Sequence, residues 1–392
     1  MARRFKIPSL TAFTRSYQRS LRALERSAKA QQKALRASVA APQKRKAAAT
    51  PAPKPRAASA SRASPVAKRA PASAKPRAGA PALGQWLNGI APGPAGARRY
   101  HLYVPPGVST QSRTRLPLLV MLHGCNQTDH AFAASTRMNQ RAGRERFLVL
   151  YPEQERVANA QGCWRWFDRR GGRADAEADT LLAAIDQVQS QYAVHPARIA
   201  VAGMSAGATM AAWMALRAPG RFCAVAMHSG AAPGSAQSAA TALAAMRGER
   251  APQAPNAGAD DQAPSGGALS GVAKRSANVR LPPLLLLHGS VDHVVAPQCA
   301  QRTAAWWAAA SGARPGKPQT QQRGARYATQ VTQWRGSGTN QVVLREIMGL
   351  GHAWSGGAPG LPYSDPAGPD ATALIWSFVA RQFAGARSQQ KI

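Results

Sequence analysis

The chain has 392 residues, of which 51 are Lys or Arg and 17 are Asp or Glu, so its formal net charge is +34. That length admits one large domain or two ordinary ones. The four cysteines do not follow zinc-ligand spacing, so no metal site and no cofactor are predicted. No stretch approaches the roughly 20 apolar residues of a membrane span.

Residues 1–80 form a basic tail that holds 20 of the Lys and Arg residues and a single acid, Glu25. Residues 40–80 are crowded with Ala, Pro and Ser, and they offer too little apolar surface to offset the entropy of ordering, which predicts disorder. Residues 9–38 place Leu, Ala and basic side chains at helical spacing. They predict either a basic amphipathic helix that meets an anionic surface or a granule, or a solvated and partly helical segment.

The basic tail also bears on partners and location. Lys and Arg bind polyanions through counterion release, but the tail has no groove-reading motif, so specific nucleic-acid binding is not expected. A secretory signal needs an apolar core of roughly 7–15 residues, and basic or polar residues interrupt every N-terminal window. The even number of cysteines is compatible with disulfides and with an oxidising compartment. The paired cysteines favour an extracellular or exported location, and the lack of a recognisable signal leaves a cytoplasmic, granule-associated state as the alternative.

From about residue 97, short apolar runs alternate with longer amphipathic runs. Strands are predicted in RRYHLYVPPG, RLPLLVMLHG, RFLVLYPEQ, ARIAVAG, FCAVAMHSG, PPLLLLHGS, ATQVTQW and NQVVLREIMGLGH. Helices are predicted in DAEADTLLAAIDQVQSQYAV, ATMAAWMALRAP, SAATALAAMR and DATALIWSFVARQF. Strands that are apolar throughout are typical of a parallel sheet buried on both faces. The alternation predicts a doubly wound α/β domain over 81–392, with a mostly parallel sheet and helices on both faces.

Two segments interrupt this pattern. Residues 249–279 are low in complexity and predict a flexible surface insertion, and residues 311–325 predict a shorter loop of the same kind. Asp260 and Asp261 lie in the first of these segments, which is a poor place for a geometrically fixed group.

Gly203-Met204-Ser205-Ala206-Gly207 matches the G-x-S-x-G pattern of a nucleophile elbow. The strand RIAVA precedes it and the helix GATMAAWMAL follows it, which is the context that the motif requires. In such a turn the backbone is strained, the flanking residues must be small, and the serine hydroxyl points out beyond the sheet edge. Ser205 is therefore the predicted nucleophile. The alternative is an ordinary small residue in a stretch of small residues.

A serine hydroxyl needs a base to take its proton, and the base needs an acid to orient it. Asp292 follows the apolar strand LLLLHG, where the acid belongs in the chain order Ser, Asp, His. His352, in the glycine-rich loop after the last strand, is the predicted base. His293 is adjacent to the acid and would point the wrong way. Three histidines at the ends of internal strands are predicted to be structural: His123, His228 and His288.

The tetrahedral intermediate of acyl transfer needs two preorganised N–H donors for its oxyanion. One is predicted at Ala206, the residue after the nucleophile. The other is predicted at Cys125 in the segment LHGCNQ, where Gly124 allows close backbone approach. The alternative for this segment is a plain tight turn.

The ordered segments LHGCNQT, YPEQ, GCWRWF, GMSAG, HGSVDHVV and GHAWSGG resemble the polyhydroxybutyrate (PHB) depolymerase family of esterases and the related feruloyl and acetylxylan esterases. The resemblance covers roughly residues 98–385. It implies an α/β-hydrolase fold and a catalytic triad of Ser205, Asp292 and His352. No substrate-binding domain or Ser/Thr-rich linker is recognised after the catalytic part. Short oligomers, amorphous polymer or small esters are therefore expected as substrates rather than crystalline polymer.

The same resemblance implies a disulfide between Cys125 and Cys163 near the active site, and a second between Cys223 and Cys299. Trp164, Trp166 and Phe167 cluster in GCWRWF, and Trp354 follows the predicted base by two residues. A flat apolar wall formed by these aromatic residues would suit a hydroxyalkanoate chain or an aromatic acyl group. The alternative is core packing, which is expected for one of the two tryptophans of W-R-W.

These observations predict a serine esterase that hydrolyses short-chain hydroxyalkanoate esters or oligomers through an acyl-enzyme, with no metal or organic cofactor. A feruloyl or acetylxylan esterase would differ in the shape of its pocket. A hypothesis of another class is a polyanion- or granule-binding protein whose α/β domain is a non-catalytic scaffold.

Overall fold

The computed structural model describes residues 84–255, 281–336 and 339–388. The predictions for the basic tail, including the helix at 9–38, lie outside the described residues, and so do those for residues 256–279 of the low-complexity insertion. The elements given below belong to the unit Leu83–Ile392.

The strands match the apolar runs of the sequence, and several are buried along their whole length because both faces of the sheet are covered. They are β1 (Gln85–Ala91), β2 (Arg98–Val104), β3 (Leu116–Leu122), β4 (Leu148–Pro152), β5 (Val194–Met204), β6 (Ala224–His228), β7 (Leu284–Gly289), β8 (Arg314–Pro315), β9 (Gln319–Gln321), β10 (Thr329–Gly336), β11 (Thr339–Ile347), β12 (Trp354–Ser355) and β13 (Ser364–Asp365).

The helices lie between these strands. They are α1 (Asp129–Thr136), α2 (Met138–Glu145), α3 (Arg173–Gln191), α4 (Ala206–Arg217), α5 (Ala239–Met246), α6 (Gln298–Ala310) and α7 (Ala371–Ser388). Within the part of the chain that the structure describes, no helix is both long enough and apolar enough to cross a lipid bilayer.

Across the described ranges, eleven strands form one sheet in the order β1-β2-β4-β3-β5-β6-β7-β11-β10-β8, with β9 paired to β10. Strands β4, β3, β5, β6, β7 and β11 are mutually parallel, whereas the strands outside them pair antiparallel. Because the carboxyl ends of parallel strands share one edge, the loops after β3, β5, β7 and β11 meet there. The segments that contain the predicted site residues are these loops.

Helices cover both faces of the sheet, as the alternation of elements predicts. The first face packs against α3, α4, α5 and α6 and contains the larger apolar cluster. The second face packs against α1, α2 and α7. The fold class is therefore the predicted one, an α/β-hydrolase with a largely parallel central sheet.

The structure differs from the expectations in two loops. Residues 249–255, the start of the low-complexity insertion, pack against the body, because Gln253 Oε1 and the carbonyl of Ala254 accept from the Arg169 guanidinium at 2.9 and 3.2 Å. The predicted loop at 311–325 contains the short edge strands β8 and β9. Both segments gain hydrogen-bond partners that local composition does not reveal.

Candidate active site

Ser205 lies in the turn between β5 and α4, with backbone angles of φ 55° and ψ −121°. A residue with a side chain pays about 1–3 kcal/mol to hold such a conformation, so the surrounding structure must impose it. The N–H of Ser205 donates to the carbonyl of His228 at 2.9 Å, and the Ser205 carbonyl accepts from Ala208 and Thr209 at 3.0 and 3.1 Å. These bonds fix the turn and place the serine at the N-terminus of α4.

The two glycines of the motif permit close backbone contacts around this turn. A Cβ on Gly203 would lie 2.4 Å from the carbonyl carbon of Gly207. A Cβ on Gly207 would lie 2.2 Å from the carbonyl oxygen of Leu122, at the end of β3. Both neighbours are backbone atoms, one in α4 and one at the end of β3, so they cannot move aside as a flexible side chain could. Gly203 and Gly207 must therefore lack side chains because β3 and the start of α4 pass too close to them.

The loops after β7 and β11 bring Asp292 and His352 to Ser205. His352 Nε2 lies 2.9 Å from Ser205 Oγ, and His352 Nδ1 lies 2.8 Å from Asp292 Oδ2. The structure thus places the three predicted triad residues in one hydrogen-bonded chain. Asp260 and Asp261 lie outside the described residues, and His293 is exposed.

Asp292 is 3% exposed, and its surroundings favour the carboxylate. Its Oδ1 accepts from the backbone N–H groups of Val294 and Val295, each at 2.9 Å. Burial alone would raise the pKa of Asp292, but the charges and hydrogen bonds of His352 and His288 outweigh burial and hold the pKa well below its usual range. The ionised acid requires a proton on His352 Nδ1, which leaves the lone pair of Nε2 facing the serine hydroxyl.

Two buried histidines, predicted to be structural, support the triad. His288 Nε2 donates to the carbonyl of Val295 at 2.9 Å and lies 3.4 Å from Asp292 Oδ2. His228 accepts from the N–H of Ser355 at 3.1 Å. Burial, reinforced by His288 and His352, lowers the pKa of His228 to about 3, so it is neutral at neutral pH. A neutral His228 places no positive charge beside His352.

The segment LHGCNQ forms a tight loop against the elbow. A Cβ on Gly124 would lie 3.4 Å from Ser205 Cβ, so the loop passes directly beside the serine. Gly124 N–H donates to Gln127 Oε1 at 2.9 Å, and Asn126 N–H donates to the carbonyl of Gln161 at 2.8 Å. Among the described residues none accepts from the N–H of Cys125. Ala206, as the first residue of α4, has no intrahelical acceptor for its N–H either.

The loop is held from behind by one predicted disulfide and by two buried side chains, Gln154 and Glu177, that the sequence analysis did not identify. Cys125 is bonded to Cys163, which is the disulfide that the resemblance implied. Gln154 Nε2 donates to the carbonyl of Cys163 at 3.1 Å and to Glu177 Oε1 at 2.5 Å. Glu177, which is 2% exposed, also accepts from the N–H of Arg165 at 2.6 Å. Two features of the sequence could have indicated this support: Gln154, the last residue of YPEQ, and Glu177, an acid on the core-facing side of α3.

The prediction of a tryptophan wall is wrong. Trp164 and Trp354 are fully buried and Trp166 is 5% exposed, so none offers a face to a substrate. Trp164 Nε1 donates to the carbonyl of His123 at 3.0 Å, beneath the loop. Trp354 stacks on His228 with ring centroids 5.0 Å apart. All three tryptophans are buried in the core, whereas core packing was expected for one of the two tryptophans of W-R-W.

The second predicted disulfide is also wrong, because Cys223 and Cys299 are both free thiols. Cys223 directly precedes β6 and packs against the second face of the sheet, whereas Cys299 belongs to α6 on the first face. The sheet therefore separates them. Burial raises the pKa of Cys223 to about 12 and that of Cys299 to about 11, so both are protonated at neutral pH.

The parallel sheet, the strained serine turn and the Ser–His–Asp cluster at the carboxyl edge define the α/β-hydrolase class. The chain belongs to the esterase PHB depolymerase family, whose model matches residues 98–314. That range contains Ser205 and Asp292, and His352 lies beyond it.

Three comparisons illustrate the relationship. Poly(3-hydroxyalkanoate) depolymerase C of Paucimonas lemoignei is 31% identical over 196 residues, which cover 50% of this chain and 44% of that protein. Feruloyl esterase B of Neurospora crassa is 27% identical over 215 residues, covering 53% and 68%. An acetyl xylan esterase from Aspergillus awamori shares the fold, with a TM-score of 0.53 at 19% identity, covering 76% of this chain and 98% of that one. The match thus spans less than half the length of the depolymerase.

Proposed function

We propose that this protein is a serine esterase that hydrolyses carboxylic esters through an acyl-enzyme on Ser205. The observation that carries the proposal is the continuous chain from Ser205 Oγ to His352 Nε2 at 2.9 Å and from His352 Nδ1 to Asp292 Oδ2 at 2.8 Å. Membership of the esterase PHB depolymerase family supports the same reaction class.

In the first half-reaction, His352 Nε2 takes the proton of the Ser205 hydroxyl while Oγ attacks the ester carbonyl carbon. The Asp292 carboxylate stabilises the positive charge that forms on His352. Burial would raise the pKa of Asp292, but His352 and His288 outweigh burial and hold this pKa well below its usual range, so the acid is ionised. The neutral state of His228 avoids a repulsive charge at this step.

The N–H groups of Cys125 and Ala206 are the proposed donors to the oxyanion of the tetrahedral intermediate. Both belong to backbone that is held in place, one by the disulfide to Cys163 and one by the start of α4. Donors that are fixed in advance pay no reorganisation energy when the charge develops. Collapse of the intermediate then transfers the proton from His352 to the leaving alcohol, and water releases the acid by the same steps in reverse order.

The substrate class that we infer is short-chain hydroxyalkanoate esters or oligomers, which the family and the Paucimonas lemoignei relative support. A feruloyl or acetylxylan ester is the second candidate, because relatives with those names match the chain at 27% and 26% identity. The first candidate predicts that kcat/KM is highest on 3-hydroxybutyrate oligomers. The second predicts that it is highest on methyl ferulate or on acetylated xylan.

Hydrolysis of p-nitrophenyl butyrate by the purified chain and by Ser205→Ala tests the proposal. The variant is expected to lose at least about a thousandfold in kcat, because the nucleophile is absent. Ser190→Ala removes an exposed serine at the end of α3 and is the matched control, with kcat unchanged. Equal turnover by the parent and Ser205→Ala would refute the proposal and favour a non-catalytic scaffold.

We further infer that the basic tail, with 20 Lys and Arg residues against one acid, anchors the protein on an anionic surface such as a polymer granule. A chain that begins at residue 81 is expected to keep its activity on a soluble ester and to lose adsorption. If the truncated chain still adsorbs, the basic tail is not the anchor and this inference is refuted.

A further inference from the structure

A second cluster of titratable side chains lies on the second face of the sheet, apart from the triad. It consists of His101 on β2 and of Asp129 and His130, the first two residues of α1. One nitrogen of each imidazole and one carboxylate oxygen lie within 4.8 Å of one another. The triad does not use these residues, and no feature of the sequence analysis predicted them.

The fold holds two members of this cluster firmly. His101 pairs with Tyr151 of β4 across the antiparallel ladder, so the two side chains share the second face. Asp129 is 1% exposed, and its Oδ1 accepts from the N–H of His130 at 2.6 Å, while its Oδ2 contacts His101 Nδ1. The side chain of Thr128 caps the helix by accepting from Ala131 N–H at 3.1 Å.

Trp86 of β1 orients both imidazoles. Its ring stacks on that of His101, with centroids 5.1 Å apart and planes at 10°. Its Nε1–H donates to His130 Nε2 at 3.3 Å. Because an indole N–H only donates, His130 Nε2 is the acceptor of this hydrogen bond, and an ion that takes the Nε2 lone pair displaces the indole N–H.

The cluster is open to solvent on one side. His130 is exposed and lines a cavity of about 370 Å³ together with Trp86 and Tyr103. An ion and an additional water ligand can therefore enter from solvent.

We propose that His101, Asp129 and His130 form a binding site for a divalent first-row metal ion, with Zn²⁺ as the preferred ion. Two imidazole nitrogens and one carboxylate oxygen are a ligand set that Zn²⁺ takes in proteins, with one further position left for water. His101 Nδ1 and Asp129 Oδ2 are in hydrogen-bond contact, so a bound ion replaces that hydrogen bond and its proton, and the exposed His130 side chain has the freedom to move toward the ion.

The position of the site gives it a consequence for the proposed esterase. Helix α1 begins at Asp129, directly after the loop 124–128 that contains the Cys125 N–H. A metal bound to His101 and to the start of α1 ties that helix to β2. Zn²⁺ binding therefore stabilises the fold next to the loop without contacting Ser205.

Calorimetric titration of the tag-free 392-residue chain with Zn²⁺ at neutral pH tests the site. The parent is expected to bind one ion, and His130→Ala is expected to bind at least about tenfold more weakly, because it loses one of three ligands. His293→Ala removes another exposed histidine and is the matched control, with unchanged affinity. No saturable binding by the parent, or equal affinity in the parent and His130→Ala, would overturn the proposal.

A second readout distinguishes this site from adventitious binding at the triad. Co²⁺ bound by His101 and His130 is expected to give a visible absorption band and to quench the fluorescence of Trp86, and both signals disappear in His130→Ala. In a separate thermal-unfolding measurement, Zn²⁺ is expected to raise the melting temperature of the parent and of Ser205→Ala equally. Signals that persist in His130→Ala and vanish in His352→Ala would place the ion at the triad and contradict the proposal.

Discussion

The substitution Asp292→Asn tests the proposed role of the acid with little change in shape. Asp292 Oδ1 accepts two backbone N–H bonds at 2.9 Å, from Val294 and Val295. An asparagine keeps those bonds only if its oxygen takes the Oδ1 position, which directs its NH₂ group toward His352 Nδ1. An NH₂ group cannot accept a proton, so His352 must carry its proton on Nε2 instead. In that tautomer the nitrogen facing Ser205 has no lone pair to take the hydroxyl proton.

The expected loss is large. In a Ser-His-Asp site, the wrong tautomer lowers kcat by about ten-thousandfold, which corresponds to about 5 kcal/mol in the activation free energy. KM on p-nitrophenyl butyrate should change little, because the acid does not contact the substrate. Steady-state kinetics at neutral pH, with the melting temperature as a check on folding, measure both quantities.

Asp186→Asn is the matched control, since Asp186 is an exposed acid on α3 that pairs with Arg221. It is expected to leave kcat unchanged. If Asp292→Asn keeps kcat within about tenfold of the parent, the carboxylate does not set the tautomer of His352. The assignment of Asp292 as the triad acid would then be refuted.

Three further predictions concern the surroundings of the site. Gly207→Ala is expected to lower the free energy of unfolding by about 1–3 kcal/mol, measured in denaturant, because its Cβ would lie 2.2 Å from a β3 carbonyl. Gly220→Ala, with no atom within 4 Å of the new methyl group, is the control, and equal losses would contradict the contact argument. Replacing Cys125 and Cys163 together by serine removes a crosslink between positions 38 apart and is expected to cost about 4 kcal/mol. An unchanged melting temperature would count against a structural role for the bond. An unfolded His228 takes up a proton below a pH of about 6.5, whereas burial lowers its folded pKa to about 3. Stability is therefore lost as pH falls through that window, by about 1.4 kcal/mol per pH unit, and His228→Gln is expected to flatten this dependence. If stability depends on pH in the same way in the parent and in His228→Gln, the titration of His228 is not the cause of the dependence.

Much of the central sheet could be predicted because its strands are continuous apolar runs. Strand β1 could not, since the segment QWLNGIA lies at the sheet edge and leaves Ile90 57% exposed. Helix α2 has the sequence MNQRAGRE, and of its residues only Met138 and Ala142 are buried. Too few apolar positions remain in such segments for a periodic pattern to be visible.

The loops of the candidate site followed from the order of strands, because each relevant residue comes directly after a buried strand. The direction of a side chain within a loop is a different matter. Trp354 is two residues from His352 and yet enters the short strand β12, where its ring packs on Phe132 with centroids 5.3 Å apart. The sequence shows the proximity of the two residues along the chain but not that the backbone turns the ring into the core.

Contacts across the sheet are hidden for a related reason. Whether Cys223 and Cys299 can pair depends on which face of the sheet each one occupies, and neither cysteine spacing nor an even count specifies a face. His101 and Asp129 are 28 positions apart and meet only because β2 pairs with β4 and α1 packs over the same face. Both cases depend on tertiary arrangement rather than on local pattern.

The most direct test of the account is detection of the acyl-enzyme. The purified chain is mixed with p-nitrophenyl butyrate, quenched in acid within the first turnovers, digested and analysed by mass spectrometry. The account predicts a butyryl group on the peptide that contains Ser205, and no label in Ser205→Ala. Turnover by Ser205→Ala, or a butyryl group on another residue of an active parent, would contradict it.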